Sequence, residues 1–254
     1  MAQLFINGEI AMETIVDTDS DVGIFNNWVV PGLIACGPYP GLDGINYCSD
    51  DEVLETMNKF KDAGITTIIS LQEETTPHDG TVGEVNPEFK WNFPQYKSYS
   101  LYAKDMFKYL HFPITDNSIP EFDVFIANIT KILELLMTGE RVFIHCAGGH
   151  GRTGMYTTVL LFILKKMDCN VALKLNQKLH NSRKMLDRRA KKPPPSPSTS
   201  GQKAFVRNVC KKLMLKGEHA LIIQKPDISY LAAIIAAVFK FNIDDVKKVI
   251  DSSN

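Results

Sequence analysis

The sequence predicts an α/β fold, a mostly parallel central sheet flanked by helices, with a short helical C-terminal extension. Short apolar runs rich in β-formers alternate with longer stretches whose apolar residues recur at helical spacing. Polar caps open the helical stretches and glycines close them. That alternation is the pattern of strands laid side by side in parallel with helices crossing over between them.

Taken in order, residues 1–24 show no period and read as a lead-in, ahead of one domain over 25–214 and an extension over 215–254. "WVVPGLIACG" (28–37), bounded by Pro-Tyr-Pro-Gly, reads as a strand or hairpin arm. "SDDEVLETMNKFKDAG" carries a polar cap, acids in its first turn and Val53, Leu54, Met57 and Phe60 at helical spacing, with Gly64 ending it. "TTIISL" (66–71) is a short strand, and 73–100, polar and aromatic by turns, carries no assignment. "KYLHFPI" reads as a strand stopped by "TDNSIPEF". Phe122, Phe125, Ile126, Ile129, Ile132, Leu133 and Leu136 mark an amphipathic helix closed by Gly139. "RVFIH" is a buried strand and "TGMYTTVLLFILKKM" (153–167) an apolar helix. The tail after 214 holds too many apolar residues for a disordered segment, so it is expected to pack on the domain's flank or to bind a partner.

A chain of 254 residues with 44% hydrophobic content can bury one sizeable core. Its formal charge of -1 argues against a dedicated nucleic-acid binder. Five cysteines (Cys36, Cys48, Cys146, Cys169, Cys210) form no CxxC pair, which fits reduced thiols in a cytoplasmic protein better than a zinc site or a disulfide framework. The N-terminus lacks a basic start and reads as no signal peptide. The most apolar stretch, 228–239, is shorter than the roughly 20 residues a bilayer span needs.

The chemistry concentrates in "FIHCAGGHGRTG" (143–154). Cys146 ends a predicted strand and Arg152 starts a predicted helix, the place where open α/β sheets bind ligands. A helix N-terminus offers unsatisfied N–H groups and partial positive charge to an anion. Gly148, Gly149 and Gly151 let successive amides converge into a nest, and Arg152 adds a planar, bidentate grip on two phosphate oxygens. The same surroundings favour an ionised thiol at Cys146, a nucleophile facing a cradled phosphate.

"HCAGGHGRTG" resembles the signature loop of cysteine-dependent protein phosphatases, in particular the small atypical dual-specificity group. "NWVVPGLIACGPYPG" is similar to their entry strands, "ITTIISLQEE" to their central strand and acidic loop, and "FPITDNSIP" to their general-acid loop. "SPSTSGQKAFV" resembles their late Ser-Pro-x-Thr-x-x-Gln segment, so the likeness spans about residues 25–213.

The resemblance implies a phosphotyrosine-phosphatase-like fold and a metal-independent hydrolase with no cofactor. Cys146 would form a phosphocysteine while Arg152 and the amides of Ala147, Gly148, Gly149, His150 and Gly151 hold the phosphoryl oxygens. Asp116 would be the general acid, with Asp105 as the fallback. Thr153 would hydrogen-bond the sulfur, His145 would orient the loop, and Gln202 is either a positioner of the hydrolytic water or a surface residue. His150 is either a weak source of charge at low pH or solvent-exposed. The loop lacks the lysines and arginines that polyphosphorylated substrates require, which points to a phosphorylated protein, phosphotyrosine first. Phosphoinositide or RNA 5'-phosphatase activity and a non-catalytic phosphate-binding module are the alternatives. "RKMLDRRAKK" (Arg183–Lys192), six basic residues in ten, reads as a solvated helix end or an anion-steering surface.

Overall fold

The computed structural model describes residues 5–6, 9–10, 21–41, 48–74, 99, 102, 105–165, 167–185 and 192–215. Within the segment expected to be an unstructured lead-in, β1 (Phe5–Ile6) and β2 (Glu9–Ile10) pair antiparallel. The extension after residue 215 lies outside the described residues, as does most of the unassigned stretch 73–100.

β3 (Asn27–Val30) and β4 (Ile34–Gly37) form the expected hairpin, its turn closed by Leu33 N–H donating to Val30 O at 3.0 Å. β5 (Thr67–Gln72), β6 (Lys108–Ile114) and β7 (Val142–His145) complete a five-stranded sheet in the order β3-β4-β7-β5-β6. All neighbours but the hairpin pair run parallel. β5 and β7 are buried along their whole length, which is why they read as continuous apolar runs and not as an alternation.

The helices lie on both faces. α1 (Asp50–Asp62) starts at a capping box in which Ser49 Oγ accepts from Glu52 N–H and Glu52 Oε2 accepts from Ser49 N–H at 2.8 Å. Its Val53, Met57 and Phe60 pack with Ala35, Ile68 and Phe143 on one side of the sheet. On the other side Ile34, Cys36, Ile69, Leu71, Val142 and Ile144 meet α2 (Phe122–Met137), α3 (Gly151–Leu164), α4 (Cys169–Asn181) and α5 (Ser200–Leu215). Neighbours along one strand thus go to opposite cores, as the pleat dictates.

α4 and α5 are additions to the elements predicted from sequence. α4 buries Cys169, Ala172, Asn176 and His180. A buried face half made of polar groups produces no apolar periodicity to detect. α5 buries Phe205, Val206, Val209, Cys210 and Leu213, which is a helical spacing overlooked behind the motif at its start. α3 is buried nearly all round, and Gly154 within it meets the backbone of Pro197 so closely that an added Cβ would lie 2.9 Å from Pro197 N and Cα.

Ser49→Ala removes the oxygen that accepts the Glu52 amide and is expected to lower the unfolding free energy by about 1 kcal/mol. Urea denaturation would show it as a lower midpoint at unchanged slope; an unchanged midpoint would mean that the cap carries no stability.

Candidate active site

Because β4, β5, β6 and β7 are parallel, their carboxyl ends share one edge, and four loops leave it together. They begin at Gly37, Gln72, Ile114 and His145, and this is the edge where open parallel sheets bind ligands. Asp116 follows the carboxyl end of β6 and so reaches this edge, whereas Asp105 precedes the amino end of the same strand and belongs to the opposite one.

The loop after β7 is held from several directions. Ala147 O accepts from Tyr39 N–H at 3.0 Å. Gly149 has φ +69 and lies so close to Gly37 that a Cβ would collide with that residue's carbonyl, so neither conformation nor space admits another residue. His150 O accepts from Ser196 Oγ at 3.0 Å and from Gly154 N–H at 2.9 Å. Behind the strand end, Tyr99 Oη and His145 Nε2 are hydrogen-bonded at 2.6 Å, with both side chains fully buried.

Cys146 is 3% exposed, and Thr153, one residue past Arg152 in the first turn of α3, points its hydroxyl at Sγ from 3.1 Å. Arg152 is itself 1% exposed. Its Nη1 donates to Glu74 Oε2 at 2.6 Å and to Ile114 O at 3.0 Å, and its Nη2 donates to Glu74 Oε1 at 2.8 Å. Asp116 Oδ1 lies 3.0 Å from the same Nη2. The remaining donor, Nε–H, is buried without a partner among the described residues. Burial alone would raise the pKa of Glu74, but the hydrogen bonds and charge of Arg152 outweigh it and hold this carboxyl below its ordinary value.

Glu74 received no role from the sequence, although its position in "QEE" directly after a strand end was a usable signal. Gln202 is fully buried, which rules out a surface glutamine. Its Oε1 accepts from Ser198 and Thr199 N–H, both at 3.1 Å, and its Nε2 donates to Ser118 O at 3.2 Å, tying the start of α5 to the Asp116 loop. His150 is half-buried and neutral at neutral pH. It is hydrogen-bonded to His180 at 2.7 Å, and burial followed by the nearby Arg183 charge pushes its pKa down to about 3.

The basic run is corrected at its first residue. Arg183 is 6% exposed and turned inward, with Nε on Asn27 Oδ1 at 2.7 Å and Nη2 on Gly149 O at 3.1 Å. It belongs to the base of the loop and not to an anion-steering surface. Cys36 packs on the same side of the sheet as Cys146, and Cys48 packs with the opposite core. No disulfide joins the five cysteines, all of which lie among the described residues. Among the described residues no helix is long and apolar enough to cross a membrane.

Because the folded pKa of Glu74 is depressed, its ionisation stabilises the fold above its unfolded value, and that stabilisation is lost as pH falls through the folded value. Glu74→Gln is therefore expected to be several kcal/mol less stable at pH 7, on the order of the 3–5 kcal/mol that breaking a buried pair costs. The gap should shrink below about pH 4. Urea unfolding of both proteins at pH 7 and pH 3 checks this, and a pH-independent gap would contradict it.

Comparison with known proteins agrees with this geometry. Residues 24–206 match the family model described as "Swiss Army Knife protein, DSP-PTPase phosphatase domain". A 71-residue stretch is 38% identical to protein 197R of Invertebrate iridescent virus 6, over 26% of this chain and 27% of that one. A 133-residue stretch is 27% identical to protein 067L of Invertebrate iridescent virus 3, over 51% and 47% respectively. Both viral proteins carry tyrosine phosphatase names, and the chain matches less than half the length of either. The active form of Tk-PTP superposes with a TM-score of 0.50 at 17% identity, over 74% of this chain and 97% of that one. PTPMT1 in complex with PI(5)P gives 0.51 at 12%, over 76% and 98%. A mouse protein described as a dual specificity phosphatase, in complex with zinc tungstate, gives 0.51 at 11%, over 83% and 99%. At such identities the structural likeness speaks for the fold, while the family match spans most of the chain and includes the signature loop. On that match the chain belongs to the phosphatase domains of the DSP-PTPase type.

Proposed function

We propose that the protein hydrolyses phosphate monoesters on proteins, phosphotyrosine foremost, through a phosphocysteine at Cys146. The observation that carries this reading is the state of Arg152. Its guanidinium is buried beside the glycine loop, fixed by Glu74, and keeps one donor without a partner among the described residues. A buried unpaired donor is costly unless a ligand completes it, and a tetrahedral oxyanion supplies the missing acceptors.

In the first step Cys146 Sγ attacks phosphorus, an S–P bond forms and the ester P–O bond breaks. The leaving oxygen takes its proton from Asp116. In the second, water attacks the phosphocysteine, Asp116 accepts the water's proton, and the S–P bond breaks to release inorganic phosphate. The Thr153 hydroxyl, 3.1 Å from Sγ, donates to the departing thiolate. Arg152 Nη2, which contacts Asp116 Oδ1 at 3.0 Å, turns to the phosphoryl group when substrate arrives, freeing Asp116 to act at the leaving oxygen. Gln202, beside Gly151, serves this centre by holding the Asp116 loop through Ser118.

Charge supports the choice of substrate class. The residues between Cys146 and Arg152 include no lysine or arginine, Glu74 and Asp116 flank the guanidinium, and Arg183 is turned away beneath the loop. Such a site supplies cations for one phosphate and repels further ones. The viral relatives' tyrosine phosphatase names support the same reading. Cysteines without a disulfide, one of them the nucleophile, suit the reducing cytoplasm.

Hydrolysis of an aryl phosphate in the presence of EDTA is expected, abolished by Cys146→Ser and strongly reduced by Arg152→Ala; wild-type turnover by the Ser variant would overturn the assignment. Asp116→Asn is expected to lower kcat by roughly 10²–10⁴-fold without raising KM, because it removes a competitor for Arg152 Nη2. A panel of phosphotyrosine peptides and phosphoinositides decides the class, and preference for the lipids would reverse the substrate proposal.

A further inference from the structure

We infer that Arg183 is a positioning residue of the phosphate cradle, holding the Gly149–His150 peptide so that its N–H faces the bound oxyanion. This rests on the phosphatase reading and extends it to a residue outside the signature loop.

A trans peptide is planar, with its carbonyl and N–H pointing in opposite directions. Fixing the oxygen therefore fixes the hydrogen. Three carbonyls of the loop are tied from outside by three separate parts of the chain. Ala147 O is bound by the amide of Tyr39 after the hairpin, Gly149 O by the guanidinium of Arg183 after α4, and His150 O by the hydroxyl of Ser196 before α5. By planarity the N–H groups of Gly148, His150 and Gly151 point away from these ties. Gly149 is where the loop most needs such a tie, since at φ +69 the backbone is in the left-handed region and glycine has no side chain to fix it.

Arg183 is built for that purpose. Its planar fork spans three groups at once: Asn27 Oδ1 on β3 at 2.7 Å, Cys36 Sγ on β4 at 3.5 Å and Gly149 O at 3.1 Å. These partners are neutral, so the cation is not cancelled by them, and the bond to Gly149 is charge-assisted. The neighbouring His150 and His180 are both kept neutral, first by burial and then by the charge of Arg183. The positive charge beneath the loop is thus that of Arg183 and not of these imidazoles. Lysine would keep the charge but could not span the sheet and the loop together.

The experiment compares Arg183→Met, Arg183→Lys and the unmutated protein for aryl phosphate kinetics and for competitive inhibition by inorganic phosphate. Folding of each is followed by circular dichroism. Arg183→Met is expected to raise KM and the phosphate inhibition constant together by roughly tenfold or more, the loss typical of one charge-assisted hydrogen bond, while kcat changes less. Arg183→Lys is expected to fall between the two and carries the test if the Met variant does not fold. A purely structural role would lower the active fraction, and so kcat, at unchanged KM and inhibition constant; that result in Arg183→Lys, or in folded Arg183→Met, overturns the inference. If the unmutated protein neither binds phosphate nor hydrolyses the ester, the phosphatase reading fails, and this inference with it.

Discussion

A guanidinium sealed from water beneath a ring of bare amides has to be answered by negative charge, and in this protein Glu74 answers it. The two groups meet through two parallel hydrogen bonds, one from each terminal nitrogen of Arg152. Taking both charges out of water is unfavourable by itself, and the pair persists because its geometry is bidentate and further bonds from Gln72 Nε2 to Glu74 and from Arg152 Nη1 to Ile114 O support it. Three parallel strands contribute to this centre. β5 brings Glu74, β6 brings Ile114 and Asp116, and β7 with α3 brings Cys146 and Arg152. Sheet register therefore sets the distances among Cys146, Arg152, Glu74 and Asp116. A one-residue slip would turn each of these side chains to the other face.

The helices on the far side complete what the sheet begins. Asn176 of α4 accepts from Thr157 of α3 at 2.7 Å and donates to the carbonyl and hydroxyl oxygens of Ser196 at 3.0 and 3.1 Å. Ser196 in turn donates to His150 O. A buried polar chain of this kind fixes one arrangement because each unmet partner would be costly. Its members lie at widely separated places in the chain and converge on a loop of a few residues. The loop's own glycines supply the freedom to curl, and its neighbours remove that freedom once folding is complete.

Much of this was legible in advance. The hairpin, β5, β6, β7 and the three helices α1 to α3 follow from apolar spacing, caps and glycines, since each has a face whose burial is written in residue type. α4 was hidden because the face it buries carries Asn176 and His180. Arg183 was misread for a related reason. Nothing local to a stretch with six basic residues in ten marks Arg183 as turned inward, and only the position of Asn27 and Gly149 decides it.

The sequence by itself determined the layered α/β architecture and the place of Cys146 at a strand end. A cysteine between a buried strand and a glycine-rich helix start is a local arrangement, specified by residues adjacent in the chain. Tertiary structure alone decided which acid pairs with Arg152, which imidazoles stay neutral, and which distant side chains hold the loop's carbonyls. Those outcomes depend on groups 30 to 78 residues apart meeting in a low-dielectric interior. There, partner geometry and burial govern the energy, and neither is a property of any single stretch of chain.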